Sequence, residues 1–263
     1  MSFDSAVVWS QARGAPSENI HAVGWLWLWR TTEAIWSGPT PIFLIQLALL
    51  WSGLVLVARS LRVGNAQGIA FMYAAAGAPG LFILFAHVWS DALFCAALTF
   101  ACAAVLRYRN TRDRFSAAAF LLALFFALTL RHNALPAALP LIVYFVNLWA
   151  KQTAQSRNGT LRLGVPSAVI LLVLAGSAAL LNSRVDRPIS IFPVTAIWDL
   201  AAISIDANEI LLPDELHRHG LSVDDLRGAY TEYSSLPIFT KTGRISPPFF
   251  PADDARVAIV RRA

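Results

Sequence analysis

Long apolar runs separated by short polar linkers occupy most of the chain before residue 182. Six of them reach or approach the length of about 20 residues, with a range of about 17 to 25, that a helix needs to cross a bilayer. They cover residues 41–58, 68–88, 92–106, 116–130, 134–150 and 164–181. The pattern predicts an all-α fold, a polytopic membrane helix bundle of about six spans, in which the third and fourth spans are short.

Composition also favours a lipid environment. Hydrophobic residues make up 57% of the 263 residues and charged residues 14%, and the mean hydropathy is +0.56, whereas soluble domains average about 45–50% apolar and 25% charged residues. The net charge of +5 would fit nucleic-acid binding, but most basic residues lie in short clusters between apolar runs, as in a membrane topology signal. We therefore expect the lipid bilayer, and no nucleic acid, as a partner.

The linkers between the runs alternate in charge. Basic clusters follow the first, third and fifth runs, at 59–67, 107–115 and 151–163. Because basic loops stay on the cytoplasmic side, the linkers that contain Asp91 and Arg131 are predicted to face outwards. The chain is expected to be a multi-pass membrane protein.

This topology divides the chain into three parts. Residues 1–40 form an outer-face loop, 41–181 the transmembrane bundle, and 182–263 an outer-face soluble segment. Tryptophan prefers the membrane interface, so the tryptophan-rich stretch 20–37 is predicted to be an interfacial helix. Since nothing before residue 41 reads as a signal peptide, an outside N-terminus requires either an N-out first helix or a helix upstream of Met1, and we expect the second.

Several polar residues are gathered at the predicted outer face. The sequence has no Gly-rich phosphate loop, H-E-x-x-H, C-x-x-C or D-x-D motif to account for them. A single charged residue at a helix end can simply mark the interface, but acids and bases that converge at one face, with an arginine able to bind phosphate bidentately, suit transfer chemistry on a lipid-linked substrate. The residues are Asp4, Glu18, Asn19, His21, Asp91, Arg131, His132 and Asn133.

Several short motifs resemble those of one enzyme superfamily. "FDSAVVWSQARG", "ENIHAVGWLWLW" and "GPTPIFLIQLALLWSGLVLVARSLR" resemble the start of bacterial GT-C type glycosyltransferases, the dolichyl-phosphate-mannose protein mannosyltransferase and aminoarabinose transferase-like superfamily. "HVWSDALF" and "LTLRHNALPAALPLIVYF" resemble elements that open two later helices in it, and "IWDLAAIS" is similar to its outer segment. The likeness extends over nearly the whole chain.

The resemblance implies a reaction at the outer face. A polyprenyl-phosphate-linked sugar would be the donor, and the acceptor stays open. An outer-loop carboxylate, Asp4 first and Glu18 second, would act as general base, and Arg131 would bind the departing lipid phosphate. Asp91 would orient a neighbour or hold a divalent metal ion; no other cofactor is implied. The substrate-binding residues would be Asp91, Arg131, His132, Asn133 and His21.

Two departures from the superfamily pattern keep other functions open. Where relatives carry an acid-x-His-Pro motif, this chain has Asn19–Ile20–His21–Ala22, and the helices expected before and after the matched region are missing. An inactive or truncated remnant of such an enzyme is therefore the main alternative. A non-enzymatic lipid carrier or transport component is less favoured, because transporters show repeated halves and polar groups at the midplane.

Overall fold

The structure, a computed structural model, describes residues 3–62, 64–131, 134–151, 159–190, 192–245, 250–251 and 254–261. Helices dominate these residues, which confirms the predicted all-α class. The chain forms two compact units: a bundle unit of Met1–Ser17 and His21–Val185, and a terminal unit of Glu18–Ile20 and Asp186–Ala263.

The helices follow one another with short connections. The bundle unit contains α1 (Phe3–Ala12), α2 (Val23–Ile35), α3 (Thr40–Ser60), α4 (Asn65–Gly77), α5 (Pro79–Phe85), α6 (Ser90–Thr111), α7 (Arg114–Leu130), α8 (Leu135–Ala150) and α9 (Gly159–Asn182). The terminal unit contains β1 (Ile189–Ser190), α10 (Phe192–Ala207), a 3₁₀ turn (Asp214–Leu216), α11 (Val223–Ala229), α12 (Leu236–Lys241), β2 (Phe250–Pro251) and α13 (Ala255–Val260).

Three helices in the described part of the chain are long and apolar enough to cross a membrane, namely α3, α6 and the Leu163–Asn182 part of α9. The pair α4–α5 would add a fourth crossing. The apolar helices α7 and α8 have 17 and 16 residues, or about 26 and 24 Å at 1.5 Å per residue, which is less than the bilayer core of about 30 Å. The structure thus supports a membrane protein, and the six crossings stay a prediction.

Two predicted spans differ from the helices that the structure shows. The third is not short: α6 has 22 residues, because the polar segment Arg107–Thr111 continues the helix and arginine is a good helix former. The second, predicted as one run over 68–88, is two helices bent by 66°. Pro79 begins α5 and Ala78 is extended, as expected because proline disfavours the helical conformation in the residue before it.

The bundle unit is held together by small and aromatic side chains. Helix α6 packs closely on α3, and a Cβ on Gly53 would lie 3.0 Å from the backbone nitrogen of Phe100. On its other side α6 contributes to a core with α7, α8 and α9, in which the Phe145 ring lies 5.1 Å from Tyr108 and 4.8 Å from Phe120, centroid to centroid. Close helix approach at glycine is typical of packing in membranes.

The basic linkers meet at one end of the bundle unit, which we call the basic end (residues 59–62, 107–114 and 151). Asn110 of α6 donates a hydrogen bond of 2.6 Å to the Ser60 carbonyl of α3. Arg112 donates to the Leu148 carbonyl near the end of α8. Asp113 caps α7 by accepting from the Ser116 amide at 2.8 Å. The hydrogen bond from Thr111 first, and then that from the Ser116 amide, lower the pKa of the Asp113 carboxyl.

Residues 20–37 are not a purely interfacial segment. Helix α2 forms where the tryptophans cluster, but Trp25 and Trp29 are buried and pack against each other and against α1. These two rings do not face the surroundings, because α1 and α7 cover one face of α2 and bury them; the interfacial position of the helix stays a prediction. Trp27 and Trp36 are exposed, so an interfacial role is still open for them.

The terminal unit has its own small apolar core, built from Ile197, Leu216, Leu226, Ile238 and other residues of its helices. Its short strands β1 and β2 pair antiparallel. Glu18 forms a parallel bridge with Arg187, and Asn19 accepts a hydrogen bond of 2.6 Å from the Ile189 amide. The segment Glu18–Ile20 therefore belongs to the terminal unit, although it lies within the predicted N-terminal part.

Candidate functional site

Asp91 and Arg131 form an ion pair, with 3.1 Å between Oδ1 and Nε. Asp91 lies in the first turn of α6, after the extended N-cap Trp89, and Arg131 is the C-cap of α7. An acid at a helix N-terminus and a cation at a helix C-terminus are both favoured by the helix dipoles. The structure therefore brings together two of the predicted site residues, which are 40 positions apart.

The pair is accessible rather than sealed. The two side chains are exposed by 33% for Asp91 and 36% for Arg131, so an anion could approach the guanidinium. An ion pair this exposed contributes little to stability. The cost of separating the two groups is accordingly small enough for a phosphate to compete with Asp91 for Arg131.

The turn that leads into Asp91 is fixed by three hydrogen bonds. Gln46, which is fully buried in the apolar helix α3, donates from Nε2 to the carbonyls of Phe85 at 3.2 Å and His87 at 3.1 Å. Ser5 donates to the Val88 carbonyl at 2.6 Å. These bonds satisfy backbone groups left free where α5 ends, and they hold the approach to α6 in one conformation.

The turn around Arg131 is held by close packing. A Cβ on Gly24 would lie 2.5 Å from Cβ, Oγ1 and the backbone oxygen of Thr129, so α2 can approach α7 only with glycine at this position. The Val23 amide donates to Asn182 at the end of α9, at 2.7 Å. We call this end of the bundle unit, with residues 85–91, 129–131 and 182, the pair end.

A cavity of about 340 Å³ opens next to the pair end and is lined by Gly80, Ile83, Leu84, His87 and Trp89. Its lining is largely apolar, with the His87 ring and the Trp89 indole as polar groups. Trp89 precedes Asp91 by two residues. A cavity of this composition suits an apolar chain better than a sugar.

Glu33 is an acid that the sequence reading did not single out. Its carboxylate accepts hydrogen bonds from the Gly38 amide at 3.0 Å, Ser37 Oγ at 2.7 Å and Trp9 Nε1 at 2.9 Å, and Arg13 Nε lies 3.7 Å away. The Gly38 bond first, then those from Ser37 and Trp9, lower the pKa of Glu33. A carboxylate held by so many donors is a poor general base, so Glu33 serves to join α1 to α2.

The other predicted site residues fall in different parts of the chain. The side chain of Asp4, and His132 and Asn133 as a whole, lie outside the described part of the structure. Glu18 belongs to the terminal unit. His21 lies in the bundle unit, two residues before α2.

The sequence left a metal-binding role open for Asp91, and the described residues provide no further ligands for a metal ion there. Within the described residues, no group of three His, Cys, Asp or Glu side chains is placed to bind a metal ion. The recorded partner of Asp91 is the Arg131 guanidinium, which carries a positive charge as a metal ion would. The geometry therefore favours the orienting role for Asp91.

Comparison of the chain with family models, curated proteins and solved structures found no match. Since a helical fold alone does not identify a function, the function has to be argued from the residues of the pair end.

Proposed function

We propose that the chain is a membrane glycosyltransferase-like protein that moves a sugar from a polyprenyl-phosphate donor to an acceptor at the outer face of the bacterial inner membrane. The observation that carries the proposal is the accessible Asp91–Arg131 pair, at the bundle end away from the basic clusters. A lipid phosphate at the membrane surface needs a cation at that depth, and an arginine provides two parallel hydrogen bonds to its oxygens.

The proposal includes six crossings. Helix α4 begins next to the basic end. Helix α5 ends at the pair end, where the carbonyls of Phe85 and His87 accept hydrogen bonds from Gln46. These positions support a broken span for the bent pair. Helices α7 and α8 are the fifth and sixth crossings if Arg131 and other side chains at their ends extend to the lipid headgroups.

In the proposed reaction, Arg131 exchanges its bond to Asp91 for a bond to the donor phosphate. The acceptor oxygen or nitrogen attacks the anomeric carbon, the bond from that carbon to the phosphate oxygen breaks, and the electron pair leaves with the lipid phosphate. Arg131 stabilises the charge that develops there. A carboxylate of the outer face takes the acceptor proton, with Asp4 as the first candidate, and the anomeric configuration inverts.

Binding of geranylgeranyl phosphate to the purified full chain in detergent tests the phosphate site. Arg131→Lys keeps the charge but loses the planar fork, so we expect the Kd to rise about tenfold, or about 1.4 kcal/mol. Arg13→Lys is the matched control, because Arg13 also faces an acid, Glu33, and should leave the Kd unchanged. Geranylgeraniol, which lacks the phosphate, should bind both variants alike. Equal Kd values for the phosphate in the wild type and Arg131→Lys would remove the proposed site.

A further inference from the structure

Two cavities lie in line between α3 and the bent pair α4–α5, on the bundle unit. One of about 720 Å³ lies near the basic end, where Arg59 and Asn65 line it. The other, of about 510 Å³, lies toward the pair end, where Leu50, Phe82 and Phe85 line it. Trp51 lines both cavities, so they follow one another along α3, and we call the two together the α3–α4 slot.

The α3–α4 slot is too narrow for another helix. Near the basic end, a Cβ added at Gly68 of α4 would lie 4.0 Å from the Ala58 Cβ of α3, so the two helices are too close there for a third helix to lie between them. A helix with its side chains is about 10–12 Å across, whereas a single hydrocarbon chain is far thinner. An apolar slot inside a bilayer does not stay empty, because unfilled space forfeits dispersion contacts.

The positive charge of Arg59, at the basic end of the slot, favours a lipid with an anionic headgroup. Arg59 is exposed at the end of α3 and lines the wider cavity, and no carboxylate among the described residues lies within ion-pair distance of it. This differs from Arg131, whose charge is matched by Asp91. An unmatched arginine at the membrane surface, beside a slot for a hydrocarbon chain, is complementary to an anionic lipid headgroup.

We propose that the α3–α4 slot binds one anionic phospholipid from the leaflet at the basic end, with its phosphate on Arg59 and one acyl chain along Trp51 towards Leu50. The lipid would fill the space that the bend between α4 and α5 leaves open and so support the broken span. This proposal needs no sugar transfer, and it places the lipid phosphate at the opposite end of the bundle unit from Asp91 and Arg131.

Native mass spectrometry tests the headgroup contact. The full chain is reconstituted into bilayers of phosphatidylcholine and phosphatidylglycerol, released gently and analysed for retained lipid. We expect one phosphatidylglycerol per chain in preference to phosphatidylcholine, and about a tenfold loss of it in Arg59→Gln. Arg62→Gln removes the same charge from the same linker but does not line the slot, and should retain the lipid.

Two further variants test the acyl-chain path independently of charge. Ala75 lines the cavity of about 510 Å³, so Ala75→Phe should displace the lipid. Ala74→Phe, at an exposed neighbouring position, should not. Variants are compared only after monodisperse elution shows that they fold. Equal loss in Arg59→Gln and Arg62→Gln, equal retention of phosphatidylcholine, a lipid-free dimer, or full retention in Ala75→Phe would each overturn the proposal.

Discussion

The two ends of the bundle unit use charge in different ways. The basic end carries six arginines and Lys151 against a single acid, Asp113, within residues 59–62, 107–114 and 151. At the pair end, Arg131 is bound to Asp91, and nearby α1 and α2 are joined by Arg13 and Glu33. One end is strongly positive, and the other has its charges matched.

The difference in charge suits the two ends to different roles: orientation in the membrane at the basic end, and ligand recognition at the pair end. Excess positive charge orients a protein in the membrane without any specific partner, and at the basic end Arg112 and Asp113 also satisfy helix termini. A matched pair contributes nothing to orientation by net charge. Its position is nevertheless fixed by Gln46, Ser5 and Gly24, which is what a binding site for one defined ligand requires.

The largest expected effect is all-or-none and concerns the sidedness of the two ends. In a background with Cys95 and Cys102 replaced, a membrane-impermeant maleimide added to intact spheroplasts should label Ser183→Cys but not Gln67→Cys, since Gln67 belongs to a basic linker. Permeabilised cells provide the control, in which both positions should react. Labelling of Gln67→Cys alone in intact cells would invert the proposed topology.

Replacing Gly24 should have the next largest effect. The Cβ of Gly24→Ala would overlap Thr129, including its backbone oxygen, so we expect a loss of about 3 kcal/mol and a displaced Arg131. Apparent thermal unfolding in detergent measures the loss. Gly176→Ala adds the same methyl group where nothing lies within 4 Å, and should not destabilise the protein. Similar unfolding temperatures for the two variants would refute the close contact of α2 with α7.

Losing the two hydrogen bonds from Gln46, which we call the clamp, should destabilise the protein somewhat less. Gln46→Leu leaves the Phe85 and His87 carbonyls without their donor, at a cost of about 2 kcal/mol, and should loosen the turn before Asp91. Gln67→Leu, on the exposed side of α4, makes the same change without losing these bonds. The unfolding temperature of each variant gives the comparison. An unaffected Gln46→Leu would mean that the two bonds only offset the cost of burying the Gln46 amide, whose Oε1 accepts no hydrogen bond from the described residues.

The smallest effect is expected for the ion pair itself. A double-mutant cycle of Asp91→Asn and Arg131→Gln should give a coupling free energy of at most about 1 kcal/mol, because both side chains are about a third exposed and exposed pairs are weak. Raising the salt concentration should reduce the coupling further. A coupling well above this range would show the pair to be a structural bond that a phosphate cannot easily replace.

Part of this arrangement follows from sequence pattern. Five of the six apolar runs lie almost wholly within one helix each, and the second is divided between α4 and α5. The alternation of the basic linkers led to the expectation that Asp91 and Arg131 would lie on the same side. Their ion pair follows from that topology because α6 and α7 are neighbours in an antiparallel pair. Pro79 is the sequence signal for the break within the second run, because proline removes a backbone donor.

Other features depend on contacts that no local pattern encodes. Trp25 and Trp29 have the composition of an interfacial belt, and they are buried because α1, which was not predicted, covers them. Gln46 is a lone polar residue in an apolar helix, and its role emerges when the chain brings Phe85 and His87 back to it. Glu33 likewise depends on the turn at Gly38.

The most direct test of the proposed function is consumption of the donor. Membranes that contain the full chain are incubated with a radiolabelled polyprenyl-phosphate sugar, and free polyprenyl phosphate is measured over time. We expect release above that of membranes without the chain, and a rate at least tenfold lower, about 1.4 kcal/mol in the barrier, for Arg131→Lys at equal expression and unchanged insertion. Release no faster than in membranes without the chain, or an unchanged rate in Arg131→Lys, would contradict the account.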